Sequence, residues 1–190
     1  VSVLDPQEGE YICDPCCGSG GFLIRAFEYV REHIENEVEV RKEDVKKSLF
    51  TDDYSKLPKK EQEKNDQKVI DAFSKMNYEL DINNPMGRLR SLSFDCIYGT
   101  DANPRMARTA KMNMIIHDDG HTNVITYDGL KPLKHIPDDT GNQHFKEDSF
   151  DFILTNPPFG STIRSTELEE FDKFELSKKK ANFFDEKFKN

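Results

Sequence analysis

The sequence predicts an open, doubly wound α/β sheet, on three observations. Four short apolar runs of strand length each end in a polar or glycine-rich loop. Helix-period stretches lie between the first and second runs and between the second and third. The first run passes through a glycine turn straight into a helical pattern, giving strand, turn, helix. Open sheets of this class bind ligands outside the carboxyl ends of their strands, so function is sought in the four loops.

The elements follow in order. Tyr11-Ile12-Cys13 reads as a buried strand ending at Asp14-Pro15. Gly18-Ser19-Gly20-Gly21 makes the turn, and Phe22, Leu23, Ala26, Phe27 and Val30 then recur at helical spacing. Residues 31–90 are charged and helix-prone, with Pro58 and Asn83-Asn84-Pro85 as breakers. They are expected to form a polar helical insertion of about two helices, whose charge alternation suits a solvated face. Phe94-Asp95-Cys96-Ile97-Tyr98 reads as the second strand, ending at Gly99-Thr100-Asp101. Pro104 suits the first turn of a helix that carries Met106, Ala107, Ala110, Met112, Met114, Ile115 and Ile116 up to His117, with Gly120 as its stop. Asn123–Thr126 is the third strand and leads to Asp128-Gly129. Phe150–Leu154 is the fourth and runs into Asn156-Pro157-Pro158-Phe159. Residues 161–190 show no further clear strand, although a doubly wound sheet normally continues past four. The expectation is a truncated domain over residues 1–190, holding the first four strands.

Composition narrows the function classes. The 190 residues suit one domain or a piece of a larger one, and 33% charged against 35% hydrophobic residues requires a solvated portion. No apolar run nears the roughly 20 residues that span a bilayer, and no signal-peptide pattern opens the chain, so no membrane role is expected. A net charge of −9 argues against a self-sufficient nucleic-acid binder. It leaves room for an enzyme whose grip on DNA comes from a partner. Cys13-x-x-Cys16, with Cys17 and Cys96, admits metal or redox chemistry, but no second pair or spaced histidine cluster completes a site. Small buried thiols in a reducing cytoplasm are the simpler reading, and no metal is expected.

The loop residues carry the chemistry. Gly18, Gly20 and Gly21 let backbone approach a ligand, yet the run lacks the Gly-x-Gly-x-x-Gly dinucleotide spacing and the Gly-Lys-Ser/Thr of a phosphate loop. Asp101 stands where an acid accepts hydrogen bonds from ribose hydroxyls, and it equally suits a helix N-cap. Asp128 can accept from an adenine amino group, and Asp128-Gly129 equally suits an ordinary turn. In Asn156–Phe159 the two prolines fix the backbone around the asparagine. Its side-chain oxygen and a neighbouring carbonyl can then hold the two hydrogens of an exocyclic amine, while Phe159 offers a face to a flat ring.

Asp14-Pro15-Cys16-Cys17-Gly18-Ser19-Gly20-Gly21-Phe22-Leu23 resembles the cofactor loop of the modification (M) subunits of type I restriction enzymes, which are DNA adenine-N6 methyltransferases. Gly99–Pro104 with Ala110–His117 resembles that family's second block, and Asp151–Gly160 its catalytic block. The family more often has Ala at Cys16 and Glu at Asp101. The resemblance covers about 5–25 and 93–160, and implies a Rossmann-like S-adenosylmethionine-dependent methyltransferase fold. It implies S-adenosylmethionine held by Asp14, Cys16, Gly18, Ser19, Gly20, Gly21, Asp101 and Ala102, with Asp128 and Gly129 near its adenine. It implies a target adenine of double-stranded DNA, flipped out and held by Asn156, Pro157, Pro158 and Phe159. The implied partners are a specificity (S) and a restriction (R) subunit in a prokaryotic cytoplasm. The family's upstream Phe-containing segment and its later strands have no match here, so the chain is expected to be inactive alone. Other readings of Asn-Pro-Pro-Phe are an N5-glutamine, an RNA-guanine or a cytosine-N4 methyltransferase, or a methyltransferase-fold module used only for assembly.

Overall fold

The computed structural model describes residues 1–117, 123–131, 136, 144–146 and 148–157. The chain divides into two compact units, Val1–Asn156 and Pro157–Asn190, and the described elements all lie in the first. That unit is α/β. Its sheet has four parallel strands in the order β3-β2-β1-β4: β1 (Ile12–Asp14), β2 (Ile97–Asp101), β3 (Val124–Thr126) and β4 (Phe152–Ile153). Ile12 lies opposite both Ile97 and Phe152, and Gly99 lies opposite Val124.

Period-two alternation sorts the strand residues onto two faces. Ile12, Ile97 and Val124 join a core with Leu23, Ala26, Phe27, Val30 and Ile34 of α1 (Gly21–Leu49) and Ala110 and Met114 of α4 (Pro104–Ile116). Cys13, Tyr98 and Ile125 form a second cluster with Phe145, flanked by Tyr11, Tyr127, Ile136 and Phe150. Tyr98 is at its centre, with the Phe145 and Phe150 rings edge-on at 5.5 and 5.3 Å.

The helix that leaves the glycine turn continues to Leu49, 29 residues in all. Its buried positions Phe27, Val30, Ile34 and Val38 keep the helical period into the charged stretch. A short 3-10 turn (Tyr54–Lys56) and Pro58 then lead into α2 (Lys59–Glu79), which turns Val69 and Met76 inward. Asn84 shapes the turn that follows α2, its Nδ2 donating to the Tyr78 carbonyl at 2.8 Å and its Oδ1 accepting from the Met86 N–H at 3.0 Å. Arg88 ties the arrangement to the N-terminal segment. Its guanidinium donates to Glu8 at 2.9 Å and to Glu37 of α1 at 2.6 Å, beside an Arg41–Glu79 pair at 2.7 Å. These bonds push the Arg88 guanidinium further above its usual range, the Glu8 bond most.

The second strand departs from the sequence expectation. After the short α3 (Arg88–Ser91), residues Leu92–Cys96 form a π-helical turn, and the strand begins only at Ile97. Leu92, Ser93 and Cys96 are buried in that turn, the Phe94 carbonyl accepts from Asn123 Nδ2 at 2.7 Å, and the Arg90 guanidinium covers the Phe94 ring. The aromatic run is therefore satisfied by side-chain packing and not by strand pairing. α4 is N-capped by Asn103, whose side chain accepts from the Arg105 N–H, and carries Pro104 at its first position. It ends at Ile116. The expected stop, Gly120, lies outside the described residues.

Candidate functional site

The carboxyl ends of β1 and β2 are joined by a set of short polar bonds that shape the glycine loop. The loop backbone has positive φ at Gly18 (+54°) and Gly20 (+87°), the region that L side chains rarely adopt. The Cys17 N–H donates to the Thr100 carbonyl and the Thr100 hydroxyl donates to the Pro15 carbonyl, both at 2.9 Å. The Gly18 N–H donates to Asp101 Oδ2 at 2.9 Å. Asp101 Oδ1 accepts from the Asn103 N–H at 2.8 Å. Asp101 is therefore not the helix cap, which is Asn103. Its half-buried carboxylate bridges the two loops, and each oxygen keeps acceptor capacity for a further donor.

Asp14 is 2% exposed, and its Oδ1 accepts from the Cys16 N–H at 2.9 Å. Burial raises its carboxyl above the usual range, while the Cys16 N–H and the Thr155 hydroxyl pull the other way. Ser19, Gly21 and Ala102 are exposed beside it, and Cys16 is half-buried. Burial, with Asp14 close by, pushes the Cys13 and Cys17 thiols up to about 12 and also raises Cys16. All four cysteines are free, and among the described residues no His/Cys/Asp/Glu group is arranged to hold a metal. No described helix is long and apolar enough to cross a membrane.

The third strand end sits against the first. Asp128 and Gly129 follow β3 in a turn: the Asp128 carbonyl accepts from the Lys131 N–H at 2.9 Å and its Oδ1 from the Leu130 N–H at 3.1 Å. A Cβ on Gly129 would lie 2.5 Å from the Pro15 carbonyl oxygen, so this loop touches the glycine loop backbone to backbone. β4 pairs directly with β1, and the Leu154 N–H donates to the Cys13 carbonyl at 2.9 Å. Asn156 and Pro157 follow β4, both exposed. Pro158 and Phe159 lie outside the described residues. β1 stands between β2 and β4, the position where strand order reverses and where open sheets present a crevice.

No side chain caps α1, so the N–H groups of its first turn face the loop unpaired by any cap. Such a terminus carries partial positive charge and suits an anionic ligand group. The arrangement can thus offer backbone donors from the loop and α1, and acceptors from Asp101 and Asp128. Thr100, Ala110 and Asn113 shape this loop, although the sequence marks them only as parts of their strand and helix and not as site residues. Their partners lie 85 to 94 residues away for Thr100 and Asn113, so no local spacing announces them. The one available signal is Asn113, a polar residue beside the buried stripe Ala107, Ala110 and Met114.

A family model described as N-6 DNA Methylase matches residues 1–186. The type I restriction enzyme EcoEI methylase subunit of Escherichia coli is 52% identical over 33 residues, 17% of this chain and 7% of that protein. The type I restriction enzyme MjaIX methylase subunit of Methanocaldococcus jannaschii is 28% identical over 162 residues, 85% of this chain. This chain spans 17% of that relative's length. No solved structure matches.

Proposed function

The chain belongs to the N-6 DNA methylase family, and from that premise we propose that it is part of the modification subunit of a type I restriction-modification system, methylating adenine-N6 in double-stranded DNA. The observation that carries the reading is the bridge from the Gly18 N–H to Asp101. It makes one continuous polar rim of the β1 and β2 loops, with β4 paired next to β1 and leading into Asn156. The strand order β3-β2-β1-β4, with helices in the β1–β2 and β2–β3 crossovers, supports a Rossmann-like frame. In this reading residues 1–190 are part of a catalytic domain and 31–90 an insertion within it. Free thiols, three of the four buried, suit a reducing cytoplasm.

The residues present fit S-adenosylmethionine. A positive-φ glycine loop leaves backbone room for the ligand, and the uncapped α1 terminus suits its carboxylate. Gly18, Ser19, Gly20 and Gly21 line that approach, with Ala102 beside them. Asp101 accepts from the ribose hydroxyls and Asp128 from the adenine amino group. Asp14, Cys16 and Gly129 act on the loops' shape, Asp14 by holding the Cys16 N–H and Gly129 by seating against Pro15. When bound, S-adenosylmethionine supplies an electrophilic methyl group.

The Asn156 side-chain oxygen and a neighbouring carbonyl accept the two amine hydrogens of a flipped adenine and raise electron density on its nitrogen. Pro157 and Pro158 fix that backbone, and Phe159 stacks on the ring. Orientation carries most of such a transfer, so no dedicated general base is required. The specificity subunit reads the DNA sequence, which is consistent with the chain's charge of −9, and the restriction subunit completes the assembly.

The test uses the full-length protein with its specificity partner and an adenine-bearing duplex. Asn156→Ala is expected to abolish methyl transfer and leave cofactor binding within about twofold, since it touches only the acceptor pair. Asp101→Ala is expected to weaken cofactor binding about tenfold or more, since it removes a ribose acceptor and frees the Gly18 N–H. Similar effects of both on cofactor binding would overturn the division of roles. Methyl incorporation into a glutamine-bearing protein and never into DNA would overturn the substrate.

A further inference from the structure

We propose that Asn113 of α4 is a positioning residue for the cofactor loop, fixing the Ser19–Gly20 peptide and through it the N–H groups that open α1. The inference rests on the S-adenosylmethionine reading above. The loop has two positive-φ residues and no side-chain cap, and the local bond from the Gly20 N–H to the Cys17 carbonyl holds one end of the Ser19–Gly20 peptide. The constraint on the other end comes from across the fold. Asn113 Nδ2 donates to the Ser19 carbonyl at 2.9 Å, and the Gly20 N–H on the same peptide donates to the Cys17 carbonyl at 2.8 Å.

A peptide unit is planar, so pinning its oxygen and its hydrogen at opposite ends fixes its orientation. Ala110, one turn before Asn113, closes the remaining freedom. A Cβ on Gly20 would lie 3.3 Å from the Ala110 Cβ, so the loop already rests on α4. Among the described residues no other donor reaches the Ser19 carbonyl. Once Ser19–Gly20 is pinned, the following Gly21 and Phe22 N–H groups present one direction to a ligand. That is preorganisation, and it raises affinity without adding a contact to the ligand.

Asn113 does little for the helix's own anchoring, which comes from buried Ala107, Ala110 and Met114. Its removal should therefore be read in ligand affinity more than in folding. Asn113→Asp is nearly isosteric but replaces the donor by a carboxylate oxygen facing a carbonyl. Asn113→Gln keeps the donor on a longer arm.

In the full-length protein, calorimetry with S-adenosylmethionine's demethylated product should show about tenfold weaker binding for Asn113→Asp. Methyl-donor KM should rise in parallel, with kcat at saturating donor within about twofold and the thermal midpoint within a few degrees. Asn113→Gln should restore most of the affinity. Unchanged binding by Asn113→Asp overturns the proposal, and so does an Asn113→Gln as weak as Asn113→Asp. Should Asn113→Asp fail to fold, Asn113→Ser, whose hydroxyl falls short of Ser19, carries the same comparison. A wild-type protein that binds no donor or product would instead overturn the cofactor reading itself.

Discussion

The loops at the carboxyl edge of the sheet and the helical hairpin α1–α2 are held by different forces. The loops are shaped by close contacts at the backbone: Gly129 against Pro15, Gly20 against Ala110, and four bonds near 2.9 Å, three of them using the Thr100, Asp101 or Asn113 side chain, that join the β1 loop to β2 and α4. The outer hairpin buries only Val69 and Met76 of α2 and carries surface ion pairs, Arg41–Glu79 between its helices and Lys42–Glu39 and Lys46–Glu43 within α1. Exposed pairs are individually weak and screened by salt, whereas close backbone packing is not. The difference teaches where precision is concentrated. The edge that carries the candidate site tolerates little change of shape, and the hairpin tolerates a good deal.

The sharpest attempt to break that contrast is Gly129→Ala. The new methyl would stand 2.5 Å from the Pro15 carbonyl oxygen and 2.7 Å from its Cβ. Neither loop can yield without moving its backbone, so a loss of about 2–3 kcal/mol is expected, typical of severe overpacking. Denaturant unfolding should give the same loss at low and high salt. Gly99→Ala supplies the internal control. Its methyl also meets an atom at 2.5 Å, but that atom is the far end of the Leu23 side chain. A loss for Gly99→Ala equal to that for Gly129→Ala would break the claim that backbone contact sets the cost.

Arg88→Ala is the next largest and should behave in the opposite way with salt. The guanidinium side chain is 20% exposed and joins Glu8, Glu37 and, at 3.9 Å, Glu79. Its removal leaves three acids without their shared cation, with an expected cost of about 1–2 kcal/mol after allowance for solvent screening. Thermal unfolding at low salt should show the full effect, and 1 M salt should remove much of it. A salt-independent loss would mean that Arg88 acts through packing of its stem, and the contrast between the two regions would narrow.

These two variants also mark what the sequence made legible. The strand ends were readable because each apolar run meets Asp, Gly or Asn-Pro, and the glycine turn followed a strand directly. The length of α1 is hidden in the sequence because Ile34 and Val38 continue the buried stripe inside a stretch where most neighbours are charged. The start of β2 was misplaced because Phe94-Asp95-Cys96 has strand-like composition yet closes a π turn under Arg90. In the site, the glycines and acids announced themselves by type. The residues that hold them did not: Thr100 and Asn113 act on backbone 85 and 94 positions away, a relation that only the folded topology creates.

The smallest expected effect is one of slope and concerns Asp14. Burial raises its carboxyl above the ordinary value of 3.8, against the opposing pull of the Cys16 N–H and Thr155. A carboxyl raised in the folded state binds its proton more tightly there than in the unfolded chain. Its ionisation therefore costs stability. The cost is absent below 3.8, grows as pH climbs toward the higher folded value, and is complete above it. Asp14→Asn keeps an oxygen for the Cys16 N–H and removes the charge, so it escapes that cost. The difference in stability, variant minus wild type, should rise from acid pH and then level off on the way to neutrality. Urea unfolding at a series of pH values measures it. A flat difference would show that the Asp14 charge is not opposed by its surroundings, and a falling one would mean that the loop needs the anion to hold its shape.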